Sequence, residues 1–130
     1  MSEQPSTRMK GEIEFFIEER HEDHVTSRMP VTPGILNPFG VVHAGALIWL
    51  ADVTATVLAR GAFESGADGK GFPLAIDLHA ALLRNVRSGH VMAEARFVRR
   101  GRKVSVVRTG VTGEDGKVLI EITTTHIPAE

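Results

Sequence analysis

Residues 12–18, EIEFFIE, place Ile13, Phe15 and Ile17 on one parity against Glu12, Glu14 and Glu18, which is the period of a half-buried strand. The HEDH at 21–24 reads as a hairpin or loop. A second extended piece around 25–32 runs into turn chemistry at Pro33-Gly34 and Asn37-Pro38. From Ala44 to about Ala62 the segment AGALIWLADVTATVLARGA is rich in Ala and Leu and ends near Gly61, which predicts one long helix. This helix is apolar nearly all round, so it is expected to be enclosed by other elements. After a Gly-rich loop at 64–71 the period returns to two. Val91, Ala93, Ala95 and Phe97 alternate with Met92, Glu94 and Arg96, and Val118, Ile120 and Ile122 with Glu121 and Thr123. Gly113-Glu114-Asp115-Gly116 is a hairpin signal. With 73–84 and 103–112 this makes four consecutive antiparallel strands after the helix and two before it. The predicted architecture is α+β: one long central helix wrapped by a curved antiparallel sheet of about six strands.

Composition narrows the class. The 130 residues, 42% hydrophobic and 24% charged, fit a single domain over 1–130, with residues 1–10 expected to be flexible. The absence of Cys removes disulfides and thiol nucleophiles and fits a reducing cytoplasm. The start, MSEQPSTRMKGEIEF, has no apolar run of the signal-peptide kind. The longest apolar stretch, around 41–63, is interrupted by Asp52 and Arg60, so no membrane span is expected. Net charge is -1, yet between Arg84 and Arg108 lie eight of the 15 basic residues and one acid, Glu94. Such a stretch reads either as the solvated face of strands or as a binder of phosphate-bearing small ligands. Nucleic acid is disfavoured by the balanced overall charge and by Phe97 being the only aromatic among these charges. His21, Glu22, Asp23 and His24 suggest a metal site, but no further ligand cluster supports it, and a solvated loop without metal is expected. Asp77 and His79 share a parity and read as a buried pair, a cleft lining or an interface.

The chemistry concentrates on the helix. Ile48, Asp52 and Thr56, spaced i, i+4, i+8, fall along one stripe with Trp49 beside it. A partly buried carboxylate with a hydroxyl one turn away suits a general base or a nucleophile; the alternative is a structural acid paired with Arg60 or a partner chain. Trp49 either lines a substrate pocket or packs in the core. His43-Ala44-Gly45 occupies the helix start, where backbone N–H groups lack intrahelical acceptors and can hold a developing oxyanion. Helical rise separates Ala44 from Asp52 by roughly 12 Å, too far for one carbonyl to meet both. These groups then belong to different subunits or to different sites.

The stretch NPFGVVHAGALIWLAD resembles the hotdog-fold thioesterases, specifically the PaaI-like and 4-hydroxybenzoyl-CoA thioesterase group. Their pattern is Asn or Gln, five residues, His-Gly-Gly, six residues, Asp or Glu, often with Thr or Ser four later. Asn37, His43, Ala44, Gly45, Asp52 and Thr56 stand at those spacings. The resemblance implies an acyl-CoA thioester hydrolase acting on an aryl or medium- to long-chain acyl group. Asp52 is then base or nucleophile, Thr56 places the lytic water, Asn37 positions substrate or water, and the Ala44 N–H polarises the carbonyl. His43 shapes the helix start more than it transfers protons. The helix start and the acid come from opposite subunits, so the minimal unit is a homodimer, with pairing into a homotetramer. CoA is part of the substrate, with no separate cofactor, and its phosphates are expected on Arg100, Arg102, Lys103, Arg84 or Arg87. Two departures are Ala44, where relatives have Gly, and Arg84-Asn85-Val86, where many have an Arg-Pro turn. Ala75 aligns where some relatives have Ser or Thr. The competing readings are a non-catalytic acyl-CoA-binding domain and an acyl hydratase or dehydratase.

Overall fold

The computed structural model describes residues 7–61 and 66–130. Strands β1 (Phe16–Arg20) and β2 (His24–Pro30) are followed by a 3-10 turn at Pro33–Ile35, helix α1 (Ala44–Arg60), β3 (Pro73–Leu82), β4 (His90–Arg99), β5 (Ser105–Gly113) and β6 (Val118–Pro128). The expected last residue of the helix, Ala62, and the first part of the Gly-rich loop lie outside the described residues. HEDH closes the β1–β2 hairpin through a His21 N–H bond to the His24 carbonyl at 2.9 Å. Ile13 and Phe15 are half-buried as their parity predicts, but they precede the ladder. The Glu12 N–H instead donates to the Gly34 carbonyl at 3.0 Å. A Cβ on Gly34 would stand 2.7 Å from the Glu12 carbonyl oxygen, so only glycine lets this N-terminal strap cross the approach to α1.

All pairings are antiparallel, in the order β1-β2-β4-β5-β6-β3. The four strands after the helix thus follow one another in the chain but not in the sheet: β3 pairs with the last strand, β6, and forms one edge. Bulges in the β1–β2, β3–β6, β4–β5 and β5–β6 pairings bend the sheet around the helix. Its inner face carries Val25 and Met29 from β2, Val91, Ala93 and Ala95 from β4, Val107 and Val111 from β5, and Ile120 and Ile122 from β6, all buried. Against them α1 turns Leu47, Leu50, Ala51, Ala55, Leu58 and Ala59. Alanines on both surfaces let the helix sit close in the trough, while each fully buried Leu contributes roughly 2 kcal/mol of apolar burial.

One buried bond pins α1 along this trough. The Thr54 hydroxyl donates to the Leu50 carbonyl at 2.6 Å, so the Ser27 hydroxyl donates to Thr54 Oγ1, also at 2.6 Å. The expectation that α1 is enclosed on all sides does not hold within the chain. A single sheet covers one face of a helix, and Ile48, Asp52, Val53, Thr56 and Val57 stay half-exposed on the other.

Candidate active site

His43 is the residue before the first turn of α1, with extended backbone (φ -59, ψ 134) and no capping bond from its ring. Its carbonyl accepts from the Ala46 N–H at 3.0 Å, and its own N–H is held by the Ile35 carbonyl at 2.9 Å. The Ala44 and Gly45 N–H groups have no acceptor among the described residues, and no acid stands in the first turn. The positive end of the helix is therefore open to an anionic ligand atom. Ala44 and Gly45 are exposed, and a Cβ on Gly45 would meet no atom within 4 Å.

The preceding turn is built by Asn37. Its Oδ1 accepts from the Phe39 N–H at 2.9 Å and the Val41 N–H at 3.2 Å, while Gly40 (φ 78) takes the left-handed conformation the turn needs. With Oδ1 occupied in this way, the group that Asn37 can offer a ligand is its amide nitrogen. A cavity of about 240 Å³ opens beside the helix start, lined by Ile13, Ile35, His43, Gly45, Ala46 and Trp49 among others. Trp49 is 45% exposed and meets Phe15 edge-on with centroids 4.7 Å apart. It is a wall of this cavity and not a core residue, because it points from the face of α1 that the sheet leaves open.

Two turns along, Asp52 and Thr56 share one face as their spacing predicts. They line a second cavity of about 340 Å³ together with Val53, Val57, Arg60 and Phe72. Asp52 Oδ1 is buried and has no hydrogen-bond partner among the described residues. Its pairing with Arg60 is not found there: both line the cavity, but no ion pair joins them. Within the chain this carboxylate therefore has one buried oxygen, lines a cavity and is unpaired among the described residues.

Sequence reasoning missed a buried polar pair on β6. Thr124 and His126 extend the inner parity of Ile120 and Ile122 on β6, a signal visible in the alternation. Both are fully buried, with Thr124 Oγ1 2.8 Å from His126 Nε2. Burial holds the His126 imidazole below its ordinary pKa, opposed by the nearby Pro73 carbonyl and by the charge of Asp52.

The basic stretch divides. Arg100 is engaged: it donates to the Gly61 carbonyl at the end of α1 at 3.0 Å, pairs with Glu22 at 3.2 Å and stacks over Phe97. Arg87 donates to the Phe39 carbonyl at 2.7 Å. Arg84, Arg102 and Lys103 are exposed and have no side-chain partner among the described residues, which leaves them available to phosphate. Asp77 and His79 are exposed on the outer face of β3, so they are not a buried pair within the chain. At the β1–β2 turn Glu19, His21 and His24 bring ligand atoms within 4.8 Å of one another, with the two rings stacked. His24 also holds Asp23 at 2.8 Å, which keeps that carboxyl below its usual pKa.

Residues 39–120, more than half of the chain, match the thioesterase superfamily. A Haemophilus influenzae protein provisionally named an esterase is 33% identical over 97 residues, covering 75% of this chain and 67% of its own length. A Pseudomonas aeruginosa protein of similar name is 30% identical, and the chain covers 64% of its length, so part of each relative has no counterpart in the match. Among solved structures, thioesterase HI1161 from Haemophilus influenzae superposes with a TM-score of 0.78 at 30% identity, over 87% of this chain and 76% of that one. A Streptococcus mutans protein bound to acetyl CoA has a TM-score of 0.78 at 20% identity, over 89% of each chain, which is a likeness of fold. The chain belongs to the thioesterase superfamily and has its hotdog fold. No helix among the described residues is long and apolar enough to cross a membrane.

Proposed function

We propose that the protein hydrolyses acyl-CoA thioesters, with Asp52 supplying the oxygen nucleophile and the helix start of a second subunit receiving the oxyanion. The observation that carries this reading is the unpaired Asp52 carboxylate at a cavity, on a helix whose Ala44 and Gly45 N–H groups lack acceptors. Asp52 takes a proton from the attacking water, or attacks the carbonyl itself to give a mixed anhydride that water then cleaves to release the acid and restore the carboxylate. The thioester carbonyl becomes a tetrahedral oxyanion held by two N–H groups, and the CoA thiolate leaves, so that thioester and water give carboxylic acid and thiol. A thiolate needs no strong acid to depart, which suits a site where His43 stands exposed at the helix start. Thr56 shares the Asp52 cavity and orients the water, and the Asn37 amide nitrogen reaches substrate. The unpaired Arg84, Arg102 and Lys103 meet the CoA phosphates.

A homodimer completes the site. The two sheet edges differ: β1 is five residues long and charged, whereas β3 runs ten residues with Ile76 58% and Leu82 56% exposed. Short charged edges resist pairing, while long apolar ones invite it, so β3 is the edge a second copy covers. That copy also covers the open face of α1 and brings its Ala44 and Gly45 toward Asp52, across a distance that one helix cannot bridge.

The test follows free thiol released from a panel of aryl- and fatty acyl-CoAs. Asp52→Asn is expected to lower kcat by about 10²–10⁴. Undiminished hydrolysis by that variant would sink the assignment, and tight binding of CoA esters without turnover by the wild type would make the protein a binding module.

A further inference from the structure

The tip of the β1–β2 hairpin gathers metal-ligating side chains from both strands. Glu19 and His21 are two residues apart on an extended segment, so they share a face. His24 opens β2, where Val25, Ser27 and Met29 are buried against α1 and His24 and Thr26 alternate with them on the outward side. Glu19 stands opposite Thr26, and the His21 N–H bond to the His24 carbonyl at 2.9 Å sets the two histidines side by side across the turn. Their rings stack with centroids 4.4 Å apart, and the ligand atoms of all three side chains lie within 4.8 Å of one another.

The distances suit a shared cation better than direct pairing. Glu19 Oε2 stands 3.4 Å from His21 Nε2, long for a charge-assisted hydrogen bond, which closes to about 2.7–2.9 Å. It is instead the edge of a coordination tetrahedron, since metal bonds of about 2.1 Å put neighbouring ligand atoms about 3.4 Å apart. His24 Nδ1 meets Asp23 Oδ1 at 2.8 Å. An Nδ1–H held by a carboxylate leaves the lone pair on Nε2 and fixes the ring, which is how metal-ligating histidines are oriented. The fold also exchanges the acids that HEDH offers. Glu22 turns to Arg100 at 3.2 Å and Asp23 is held by His24, while Glu19 from the strand takes their place. The cation opposite His24, Arg96, is answered by Glu94 at 2.5 Å and Asp23 at 3.9 Å.

We propose that Glu19, His21 and His24 form a binding site for a divalent transition cation of the zinc type, which clamps the β1–β2 hairpin with water in the remaining position. Two imidazoles and one carboxylate favour zinc over magnesium or calcium, which take oxygen ligands. Glu19 and His21 are exposed, so side-chain rotation closes the remaining gap without moving the backbone. None of the three ligands lines the Asp52 cavity, and the proposal stands whether or not the protein hydrolyses thioesters.

Calorimetric titration of the tag-free full-length protein with zinc chloride tests it. One Zn²⁺ per chain is expected at saturation. His21→Ala, His24→Ala and Glu19→Gln should each weaken binding at least about tenfold. His90→Ala, at the other end of the β2–β4 ladder, should leave the affinity unchanged. In histidine-selective ¹⁵N spectra the ring resonances of His21 and His24, two of six histidines, are expected to shift with Zn²⁺. No saturation by about 1 mM Zn²⁺, unchanged affinity in any of the three ligand variants, or equal affinity for Ca²⁺ overturns the proposal. Zn²⁺-induced shifts confined to other histidines also overturn it. Far-UV circular dichroism checks that the variants fold, and should one fail, the wild-type spectra decide in its place.

Discussion

Replacing Thr54 with valine tests whether the buried Ser27–Thr54 bond sets the seat of α1. The substitution keeps the shape, removes the hydroxyl, and leaves Ser27 Oγ at zero exposure with its only acceptor gone. An orphaned buried hydroxyl costs about 1–3 kcal/mol, so Thr54→Val is expected to destabilise by about 2 kcal/mol. The Leu50 carbonyl is hardly affected, because it keeps its helical N–H. Ser27→Ala is milder, at about 1 kcal/mol, since the Thr54 hydroxyl still donates to Leu50 at 2.6 Å. In the double variant neither group remains to be orphaned, and the cost should return to about 1 kcal/mol. The sum of the singles is about 3 kcal/mol, which makes the coupling about 2 kcal/mol. Urea unfolding of the four proteins at one fixed concentration measures it, the concentration being fixed because subunit association adds to apparent stability. Additivity within about 0.5 kcal/mol would refute the bond as the link between β2 and α1. Because α1 carries Asp52 and presents Ala44 and Gly45, Thr54→Val should also lower kcat more than it raises KM.

Other outcomes follow from the same geometry. His126 is held below its unfolded pKa of 6.5 by burial, so below that pH the unfolded chain binds the proton that the folded one refuses. Stability should therefore be full above about pH 6.5 and fall as pH drops, and chemical unfolding of His126→Phe should show a flatter slope from pH 7 to 5. Gly45→Ala meets no clash and is expected to gain up to about 1 kcal/mol of stability from helix propensity while raising KM, since Gly45 lines the cavity at the helix start. A thermal melt and a substrate titration check both halves, and unchanged KM would put the acyl group elsewhere. Leu78→Lys places a charge on the apolar β3 edge at a residue 43% exposed, and should release monomer in light scattering with loss of activity. A dimer unchanged in mass would remove β3 from the interface.

Much of the candidate site's layout was legible because helical and strand periods carry it. The i, i+4 spacing of Asp52 and Thr56 put both on one face, and both line one cavity. The turn signal at Asn37-Pro38 announced the loop that delivers the chain to the helix start, but that the Asn37 side-chain oxygen is consumed in making this turn depended on how the loop closed. Which way Trp49 turns, and what Arg100 pairs with, were not legible for a related reason. An apolar helix says nothing of which face its sheet will cover, and a run of arginines says nothing of which one meets a helix end. His126 was readable as an inward residue of the last strand, but its neighbour across the chain was not.

The sequence by itself determined the elements, their near boundaries, the single long helix and the spacing of His43, Ala44, Gly45, Asp52 and Thr56, because these depend on periodicities and turn propensities within a few residues. Only the tertiary structure decided that β3 pairs with β6 and becomes the apolar edge, and that one face of α1 remains open. The β3–β6 pairing joins residues 38 to 55 positions apart, and local propensity carries no information about which distant strand will satisfy a given edge.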